Sequence, residues 1–334
     1  MGINSRSKWA GSGQNVLIIG GLGFLGSNLV HKLVEQGARV TVLDALLPLY
    51  GGNRFNLHGI EDKVQVVIGD VRDKPTVDEL VRGQDLIFNL AAQVSYIDSW
   101  QMPFEDLGIS CMGALNVLEA CRQYNPEARV IFPSSRLVYG RILSNPVRED
   151  NPTAPLSLYG VNKLTAERYH QLYCSKYGMR STILRIPNPY GPRQQMKHSK
   201  YSIIGWFLRM AMEDQTIRVF GDGQQVRDYL YVDDLTDCFL LSGNSDNCNG
   251  AVLNVGTGIP TKFIDMVKTV LSVIGKGRME MVPWPENYET EETGNYVTDT
   301  AKIHQVLGWQ AKVDLITGIK RTYEYYLRFR AYYF

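Results

Sequence analysis

Residues 16–26 decide the fold of this chain, and they read Val-Leu-Ile-Ile-Gly-Gly-Leu-Gly-Phe-Leu-Gly. The first four residues are apolar and mostly β-branched, which predicts a short buried strand. The glycines that follow permit a tight turn, and the next apolar pattern predicts a helix over residues 27–36. A strand, a glycine-rich turn and a helix in this order are typical of a dinucleotide-binding βαβ unit.

The glycine-rich turn is suited to binding a pyrophosphate. Its glycines let the backbone approach the phosphates closely, and the N–H groups and dipole at the start of the helix meet their negative charge. The residues predicted to contact the cofactor here are Gly20, Gly23, Phe24, Leu25 and Gly26.

Asp44 ends the next predicted strand, at about the distance expected for an acid that binds a ribose. Its carboxylate can accept hydrogen bonds from both ribose hydroxyls and would repel a 2′-phosphate. The sequence therefore favours NAD over NADP as the cofactor. The alternative is that Asp44 is only the solvated end of a strand.

Short apolar runs alternate with longer helical patterns, which predicts a Rossmann-like, doubly wound parallel sheet of the α/β class. Strands are predicted at residues 16–19, 39–43, 64–68, 86–89, 130–132 and 181–184. Helices are predicted at residues 27–36, 76–81, 114–123 and 159–177.

The regular pattern changes after Arg185, where prolines and glycine-rich turns become frequent. We expect an NAD-binding Rossmann domain over residues 15–185. A smaller, mainly substrate-binding region should follow over residues 186–334, and the chain can cross between the two. Residues 1–14 are polar and rich in Gly and Ser, so we expect them to form a disordered tail.

Two further loops follow predicted strands and should reach the same edge of the sheet. Asp70 and Val71 come after the third strand, where the Asp side chain can accept a hydrogen bond from an adenine amine. Leu90, Ala91 and Ala92 come after the fourth strand, and the small side chains let the backbone lie close to a cofactor. Open α/β sheets bind their ligands at this carboxyl edge.

The bulk properties exclude several classes of protein. The 334 residues carry a formal net charge of +1, which gives no reason to expect nucleic acid or a membrane surface as a partner. Glycines interrupt the apolar residues 16–30, and this stretch is too short to span a bilayer. The five cysteines are dispersed without metal-ligand spacing, so we predict no metal site and a reducing, cytoplasmic location.

Tyr159 and Lys163 lie four residues apart, a spacing that places both side chains on one face of a helix. A lysine cation near a phenol favours the phenolate, so a normally weak base can act closer to neutral pH. The same pair recurs by chance on solvated helices. Its weight here comes from the glycine-rich turn, from Asp44 and from Ser135 upstream.

Taken together, these motifs make the chain similar to the extended short-chain dehydrogenase/reductase family, from about residue 16 to about residue 326. Within that family it most resembles the NAD-dependent nucleotide-sugar epimerases and dehydratases, and particularly the UDP-sugar 4-epimerases. The further motifs that carry the resemblance are Ser134–Gly140, Leu184–Pro192, Gly221–Asp234 and Leu307-Gly308-Trp309.

The resemblance implies a catalytic set. Tyr159 would remove the proton from a sugar hydroxyl, most readily that on C4, while the neighbouring carbon gives a hydride to NAD. Lys163 would bind the nicotinamide ribose and lower the pKa of the phenol, and Ser135 would hydrogen-bond the same hydroxyl and relay its proton. The 4-keto sugar would then turn and take the hydride back on its other face.

The resemblance also implies the contacts to a nucleotide-diphosphate sugar. Asn188 would touch the sugar or its diphosphate, and Arg227 would pair with the diphosphate. The alternative for Arg227 is a surface ion pair with a neighbour such as Asp228. Arg136 is a third expected contact, to an anionic or bulky sugar substituent, although a surface role is as reasonable.

Three departures from the family pattern bear on the reaction. Arg136 and Leu137 stand where dehydratases carry Asp and Glu, so the acid and base for elimination are missing and simple epimerisation is favoured. Ser110 stands where the family usually has Asn. The usual Arg-Pro-Gly segment is not evident, and residues 194–201 either replace its phosphate contact or form a solvated loop.

Other outcomes stay open. The same keto intermediate could lead to decarboxylation, dehydration or C2 epimerisation, and a net NAD(H)-dependent oxidoreductase is a further alternative. A non-catalytic redox-sensing protein on this fold is disfavoured, because such proteins usually lose the Tyr or the Lys. The resemblance also implies a homodimer formed through the predicted helices 114–123 and 159–177.

Overall fold

The computed structural model describes residues 12–47, 50–200, 203–286 and 292–334. Most of the predicted tail, residues 1–11, lies outside these ranges. The strands are β1 (Asn15–Ile19), β2 (Arg39–Asp44), β3 (Val64–Ile68), β4 (Leu86–Asn89), β5 (Arg129–Ser135), β6 (Arg180–Ile186), β7 (Asn188–Tyr190), β8 (Thr216–Phe220), β9 (Val226–Arg227), β10 (Tyr229–Tyr231), β11 (Val252–Asn254), β12 (Thr261–Lys262) and β13 (Arg278–Val282).

A seven-stranded parallel sheet in the order β11-β6-β5-β4-β1-β2-β3 forms the centre of the fold. The doubly wound α/β prediction is confirmed, and all six predicted strands are present. Strands β5 and β6 are longer than predicted because they continue through polar residues such as Ser134 and Arg185, which are buried between neighbouring strands. The strand order reverses between β1 and β4, which is where such sheets open a crevice for a ligand.

Helices cover the sheet and build the second region. They are α1 (Phe24–Glu35), α2 (Lys74–Leu80), α3 (Tyr96–Gln101), α4 (Pro103–Leu107), α5 (Gly113–Tyr124), α6 (Leu158–Tyr177), α7 (Ile203–Met212), α8 (Val232–Gly243), α9 (Phe263–Ile274), α10 (Ala301–Leu307) and α11 (Leu315–Phe329). A π-helical turn, Gly108–Met112, joins α4 to α5. Among the described helices, none is long and apolar enough to cross a membrane.

Helix α6 carries the Tyr-Lys pair, and its ends are defined by local chemistry. Ser157 caps its start, because its Oγ accepts a hydrogen bond from the N–H of Gly160 at 3.2 Å. Gly178 ends the helix in the left-handed conformation, at a φ of 69°. The helix packs against α5 and β5, so its first turn lies beside the end of β5.

The second region has its own apolar core, built mainly from α7, α9, α11 and β8. The chain does not stay in this region after residue 186. Strand β11 pairs in parallel with β6 and forms an edge of the central sheet, while α8 packs against α1. The chain does not divide cleanly at residue 185. That residues 15–185 bind NAD and residues 186–334 mainly bind the substrate stays a prediction.

Candidate active site

Two adjoining cavities open at the carboxyl edge of the sheet. The first cavity, of about 330 Å³, lies over the ends of β1, β2, β4 and β5 and includes the glycine-rich turn and Tyr159. The second cavity, of about 710 Å³, lies between the end of β5 and the second region. The wall between the cavities includes Arg136 and Asn188, both predicted to bind the substrate. The other residues that line both cavities are Tyr96, Leu137, Lys200, Ile203 and Tyr229.

The glycine-rich turn is closely packed against the sheet. Gly20 has a φ of +85°, and a Cβ on it would lie 2.9 Å from the backbone nitrogen of Ala91. A Cβ on Gly26 would lie 2.1 Å from the carbonyl oxygen of Gly20. Gly23 caps α1 without a side chain, and Phe24 and Leu25 follow it along the first cavity. The start of α1 is thus open toward the cavity, as a pyrophosphate requires.

Asp44 is half-buried at the end of β2 and lines the first cavity. Its Oδ2 accepts a hydrogen bond from the N–H of Leu22 at 2.9 Å, and its Oδ1 accepts one from the N–H of Leu46 at 2.8 Å. Burial raises the pKa of this carboxyl, and the two backbone donors oppose the rise. Asp44 is therefore an oriented acceptor in the cavity and not a solvated strand end.

The loops after β3 and β4 complete the same wall. Asp70 lines the first cavity, and Arg72 holds its carboxylate through Nε at 2.9 Å and Nη2 at 2.6 Å, which lowers the pKa of Asp70. The other predicted contacts from these loops, Val71, Leu90, Ala91 and Ala92, also line this cavity. A glycine turn without room for a Cβ and an oriented acid together fit a dinucleotide.

Ser135 and Tyr159 line the first cavity from the end of β5 and the first turn of α6. The Ser135 Oγ accepts a hydrogen bond from the N–H of Leu137 at 3.2 Å, which orients the hydroxyl. Burial and the charge of Asp106 raise the pKa of Tyr159, and hydrogen bonding with Ser135 opposes this rise.

Lys163 is buried one turn farther along α6. Its Nζ donates to the carbonyl oxygen of Pro133 at 3.0 Å and lies 5.9 Å from the centroid of the Tyr159 ring. Burial lowers the pKa of Lys163 to about 8, although the charge of Asp106 favours the ammonium form. Burial is the largest influence on the pKa of Tyr159 in this structure, and the lowering of that pKa by Lys163 stays a prediction.

A buried polar pair supports this catalytic set and was missed by sequence reasoning. Asn162 Nδ2 donates to Asp106 Oδ2 at 2.7 Å, and the thiol of Cys111 donates to the backbone oxygen of Asn162 at 3.5 Å. Asp106 comes from α4, just before the π-helical turn that contains Ser110. Asn162 lies inside the Tyr-Lys segment, but nothing in the sequence connects Asp106 with it.

Arg136 reaches across the site toward the second region. Its Nε donates to Asn188 Oδ1 at 3.1 Å, and its Nη1 donates to Thr293 Oγ1 at 2.9 Å. Burial and the charge of Arg227 lower the pKa of Arg136 to about 10. The guanidinium is therefore part of the site and not a surface group.

Arg227 lines the second cavity, and its ion-pair partner differs from the predicted alternative. Its Nη2 lies 2.5 Å from Glu292 Oε1. Asp228 instead turns inward and accepts hydrogen bonds from the N–H groups of Thr257 and Gly258 at 3.0 Å each. Asp228 has a structural role in holding this loop, which leaves Arg227 at the cavity.

The second cavity has an aromatic lining that sequence reasoning did not assign to a ligand. The aromatic side chains and the methionine that the second region contributes are Trp206, Phe207, Met210, Phe220, Phe263 and Trp284. They come from α7, β8, α9 and the segment after β13, so only the folded second region brings them together. Of residues 194–201, Lys200 lines both cavities and lies 2.7 Å from Asp98, while Tyr201 is outside the described residues.

Within the described ranges, no group of three or more His, Cys, Asp or Glu side chains is placed to hold a metal ion. The polar groups at the site are instead a phenol, a hydroxyl, an amide and several cations. Such a set can move a proton and bind an anionic ligand next to a dinucleotide.

Comparison with known proteins gives matches over nearly the whole chain. The family described as GDP-mannose 4,6 dehydratase matches residues 17–322. The putative UDP-glucose 4-epimerase of Methanocaldococcus jannaschii is 34% identical over 308 residues, which cover 92% of this chain and 96% of that protein.

Two solved structures are also similar. The UDP-glucose 4-epimerase of Thermotoga maritima, determined with UDP-glucose, is 31% identical with a TM-score of 0.86, and the match covers 95% of this chain and 100% of that one. The complex of Thermus thermophilus UDP-glucose 4-epimerase with NAD is 30% identical with a TM-score of 0.83, covering 94% and 99%. Both likenesses include the sheet and the second region.

Proposed function

This chain belongs to the family described as GDP-mannose 4,6 dehydratase, and from that premise we propose that it inverts carbon 4 of a UDP-linked sugar. It is an NAD-dependent nucleotide-sugar epimerase, as its sequence predicted. One observation carries the choice of reaction: Ser135 and Tyr159 share the first cavity, and the next two residues, Arg136 and Leu137, bear no carboxylate.

Each member of the catalytic set has a separate task. NAD, when bound, would supply reversible hydride transfer with the sugar carbon, so no net oxidation would occur. Tyr159 removes the proton from the C4 hydroxyl, and Ser135 hydrogen-bonds that oxygen and relays the proton. The ammonium of Lys163 offsets the negative charge that develops on the phenol. After the 4-keto sugar has turned, Tyr159 gives the proton back and the C4 configuration is inverted.

The NAD site is assigned to the first cavity. The start of α1 and its glycines receive the pyrophosphate, and Asp44 accepts hydrogen bonds from a ribose. Asp70, Val71 and the residues after β4 would contact the remainder of the dinucleotide.

Elimination and decarboxylation are disfavoured by the same two positions. Loss of water across C5–C6 needs a proton donor and a proton acceptor beside the catalytic hydroxyl, and a leucine supplies neither. The guanidinium of Arg136 is bound to Asn188 and Thr293 and stays protonated at neutral pH. This leaves proton transfer at a single hydroxyl as the chemistry that the site supports.

The nucleotide is assigned to the second cavity. Trp284 and Phe220 are close together there, with ring centroids 5.9 Å apart, and offer apolar faces for a base. Asn188 and Arg227 would hold the diphosphate between base and sugar.

We also infer a homodimer in the cytoplasm. Large apolar side chains are exposed on adjacent parts of α3, α4, the π-helical turn and α6; they are Trp100, Phe104, Leu107, Met112, Val161 and Leu172. Phe104 is 85% exposed, and a monomer would leave this apolar group in water. All five cysteines are free, which suits a reducing compartment.

A substrate panel tests the reaction. The protein would be incubated with UDP-, GDP-, CDP- and dTDP-sugars, and products would be identified by NMR. We expect a C4 epimer of a UDP-sugar without net formation of NADH. Loss of water or CO₂, a C2 epimer, or a steady rise in absorbance at 340 nm would contradict the proposal.

A further inference from the structure

We propose that Arg136 binds the diphosphate of the substrate together with Arg227, so that cations from the end of β5 and from the second region hold it from two sides. The inference rests on the proposed function, because it takes a nucleotide-diphosphate sugar as the ligand. It adds a specific binding role for a residue whose expected contact was a sugar substituent or the surface.

The order of groups in the ligand fixes where the diphosphate lies. A nucleotide sugar is linear, with the diphosphate between sugar and nucleoside. The sugar must reach Tyr159 in the first cavity, and the nucleoside is assigned to the second. The diphosphate must therefore cross the wall between the two cavities, of which Arg136 and Asn188 are polar members.

The direction of the Arg136 side chain favours the diphosphate over the sugar as the group that it binds. Its Nη1 contacts Thr293, which lines the second cavity but not the first. Arg227 also lines only the second cavity, and its positive charge lowers the pKa of Arg136. The guanidinium thus lies on the nucleotide side of the wall, whereas an arginine that selects a charged sugar would end beside Tyr159 and Ser135.

Arg136 forms no salt bridge within the described part of the chain, although the charge of Glu292 acts on its pKa. Its side-chain hydrogen-bond partners are the neutral oxygens of Asn188 and Thr293, and no described carboxylate lies within salt-bridge distance. A partly buried cation whose hydrogen-bond partners are neutral is costly, so an anionic ligand at this position is stabilised.

Positive charge also exceeds negative charge among the side chains next to Arg136. Arg227 pairs with Glu292, whose carboxylate also accepts a hydrogen bond from the N–H of Gly294 at 3.0 Å. One carboxylate thus faces two guanidinium groups. Tyr229 lines both cavities near both arginines, and its buried hydroxyl has no hydrogen-bond partner within the described ranges. A diphosphate would supply the missing acceptors and negative charge.

The test measures binding to the NAD-loaded enzyme by calorimetry, with UDP, UMP, uridine and inorganic pyrophosphate as probes. We expect Arg136→Gln to weaken UDP and pyrophosphate binding by about 10- to 100-fold, because a charge-assisted fork is lost. UMP should be affected less and uridine not at all. Arg148→Gln, at an exposed arginine away from the cavities, is the matched control and should change nothing.

Two other variants keep the test decisive if Arg136→Gln does not fold. Arg136→Lys retains the charge but not the planar fork, so we expect a smaller loss of UDP affinity. Glu292→Gln frees Arg227 from its ion pair and should tighten UDP binding several-fold.

The outcomes separate this inference from the proposed function. If the parent enzyme binds UDP and both Arg136 variants bind it equally well, the inference is wrong while the proposed function stands. The same holds if Arg136→Gln affects only sugars that carry a carboxylate. If the parent binds neither UDP nor pyrophosphate, both are wrong.

Discussion

The ammonium nitrogen of Lys163 lies 5.9 Å from the centre of the Tyr159 ring and donates a hydrogen bond to the carbonyl oxygen of Pro133. The two residues share the first turns of α6, but the lysine does not contact the phenol oxygen directly. Lys163 therefore acts on the Tyr159 base only through its positive charge. Because the lysine is buried, it also affects the stability of the protein.

Tyr159→Phe should remove the base and leave the fold intact. We expect activity to fall by about 10²- to 10⁴-fold, the contribution usual for a positioned acid–base group. NAD binding, measured by calorimetry, should change little. Tyr177→Phe, at an exposed tyrosine near the end of the same helix, is the control. A Tyr159→Phe variant with parental activity would show that another group is the base.

Lys163→Met should separate catalysis from stability. The lysine is 3% exposed and its pKa is lowered to about 8, so the folded protein binds fewer protons than the unfolded chain between about pH 8 and 10.5. Stability of the parent should therefore rise with pH across this window. At pH 7 the free energy of unfolding of the variant should equal or exceed that of the parent, with a gain of up to about 3 kcal/mol. The variant should be inactive. Denaturant unfolding at pH 7 and pH 10 measures this, and an unchanged pH slope in the variant would contradict it.

His170 should make the protein sensitive to acid. It is buried against Phe132, its Nδ1 is 2.7 Å from Ser181 Oγ, and burial lowers its pKa to about 3. The unfolded chain takes up the proton first, so stability is complete above about pH 6.5 and falls as the pH decreases toward 3.

The slope for this one group is at most about 1.4 kcal/mol per pH unit. In His170→Gln the melting temperature should fall less steeply between pH 6.5 and 4.5 than in the parent. His304→Gln, at an exposed histidine, should retain the parental slope. An unchanged slope in His170→Gln would rule the group out.

Two glycines of the same turn should respond differently to alanine. A Cβ on Gly26 would meet the Gly20 carbonyl at 2.1 Å, so Gly26→Ala should lower the melting temperature and abolish NAD binding. A Cβ on Gly23 meets nothing closer than 3.4 Å, so Gly23→Ala should keep the fold and weaken only NAD binding. Equal losses of stability in both variants would refute this distinction.

The exposed apolar group on α3, α4 and α6 should control the oligomeric state. Phe104→Lys combined with Leu172→Glu should convert the proposed dimer to a monomer in light scattering after gel filtration. Leu143→Lys, at a residue 82% exposed outside this group, should leave the dimer unchanged. A parent protein that is already monomeric would overturn the assignment.

Local patterns predicted the sheet well because a buried parallel strand reads as a short apolar run. They gave β1, β3 and β4 nearly to the residue. They shortened β5, since the burial of Ser134 and Ser135 depends on neighbours that are distant in sequence. The start of α1 at Phe24 was also missed, because a helix that begins within a glycine-rich turn has no polar capping residue.

At the site, sequence patterns identified the groups at strand ends but not their partners. Arg227 was given Asp228 as its alternative partner because the two are adjacent, whereas the fold brings Glu292 to it from 65 residues away. Asp106 and the aromatic lining of the second cavity come from separate elements without a common motif. Contacts of this kind depend on topology, which local periodicity does not contain.

The return of the chain to form β11 restricts how this protein can be divided. A fragment ending near residue 185 would leave β6 with one row of unpaired amide and carbonyl groups along a strand that is buried in the full chain. Exposed strand edges of this kind promote aggregation, so the fragment should express as insoluble material. Fusion partners and affinity tags are therefore better attached at the chain ends than inserted at the junction between the two regions.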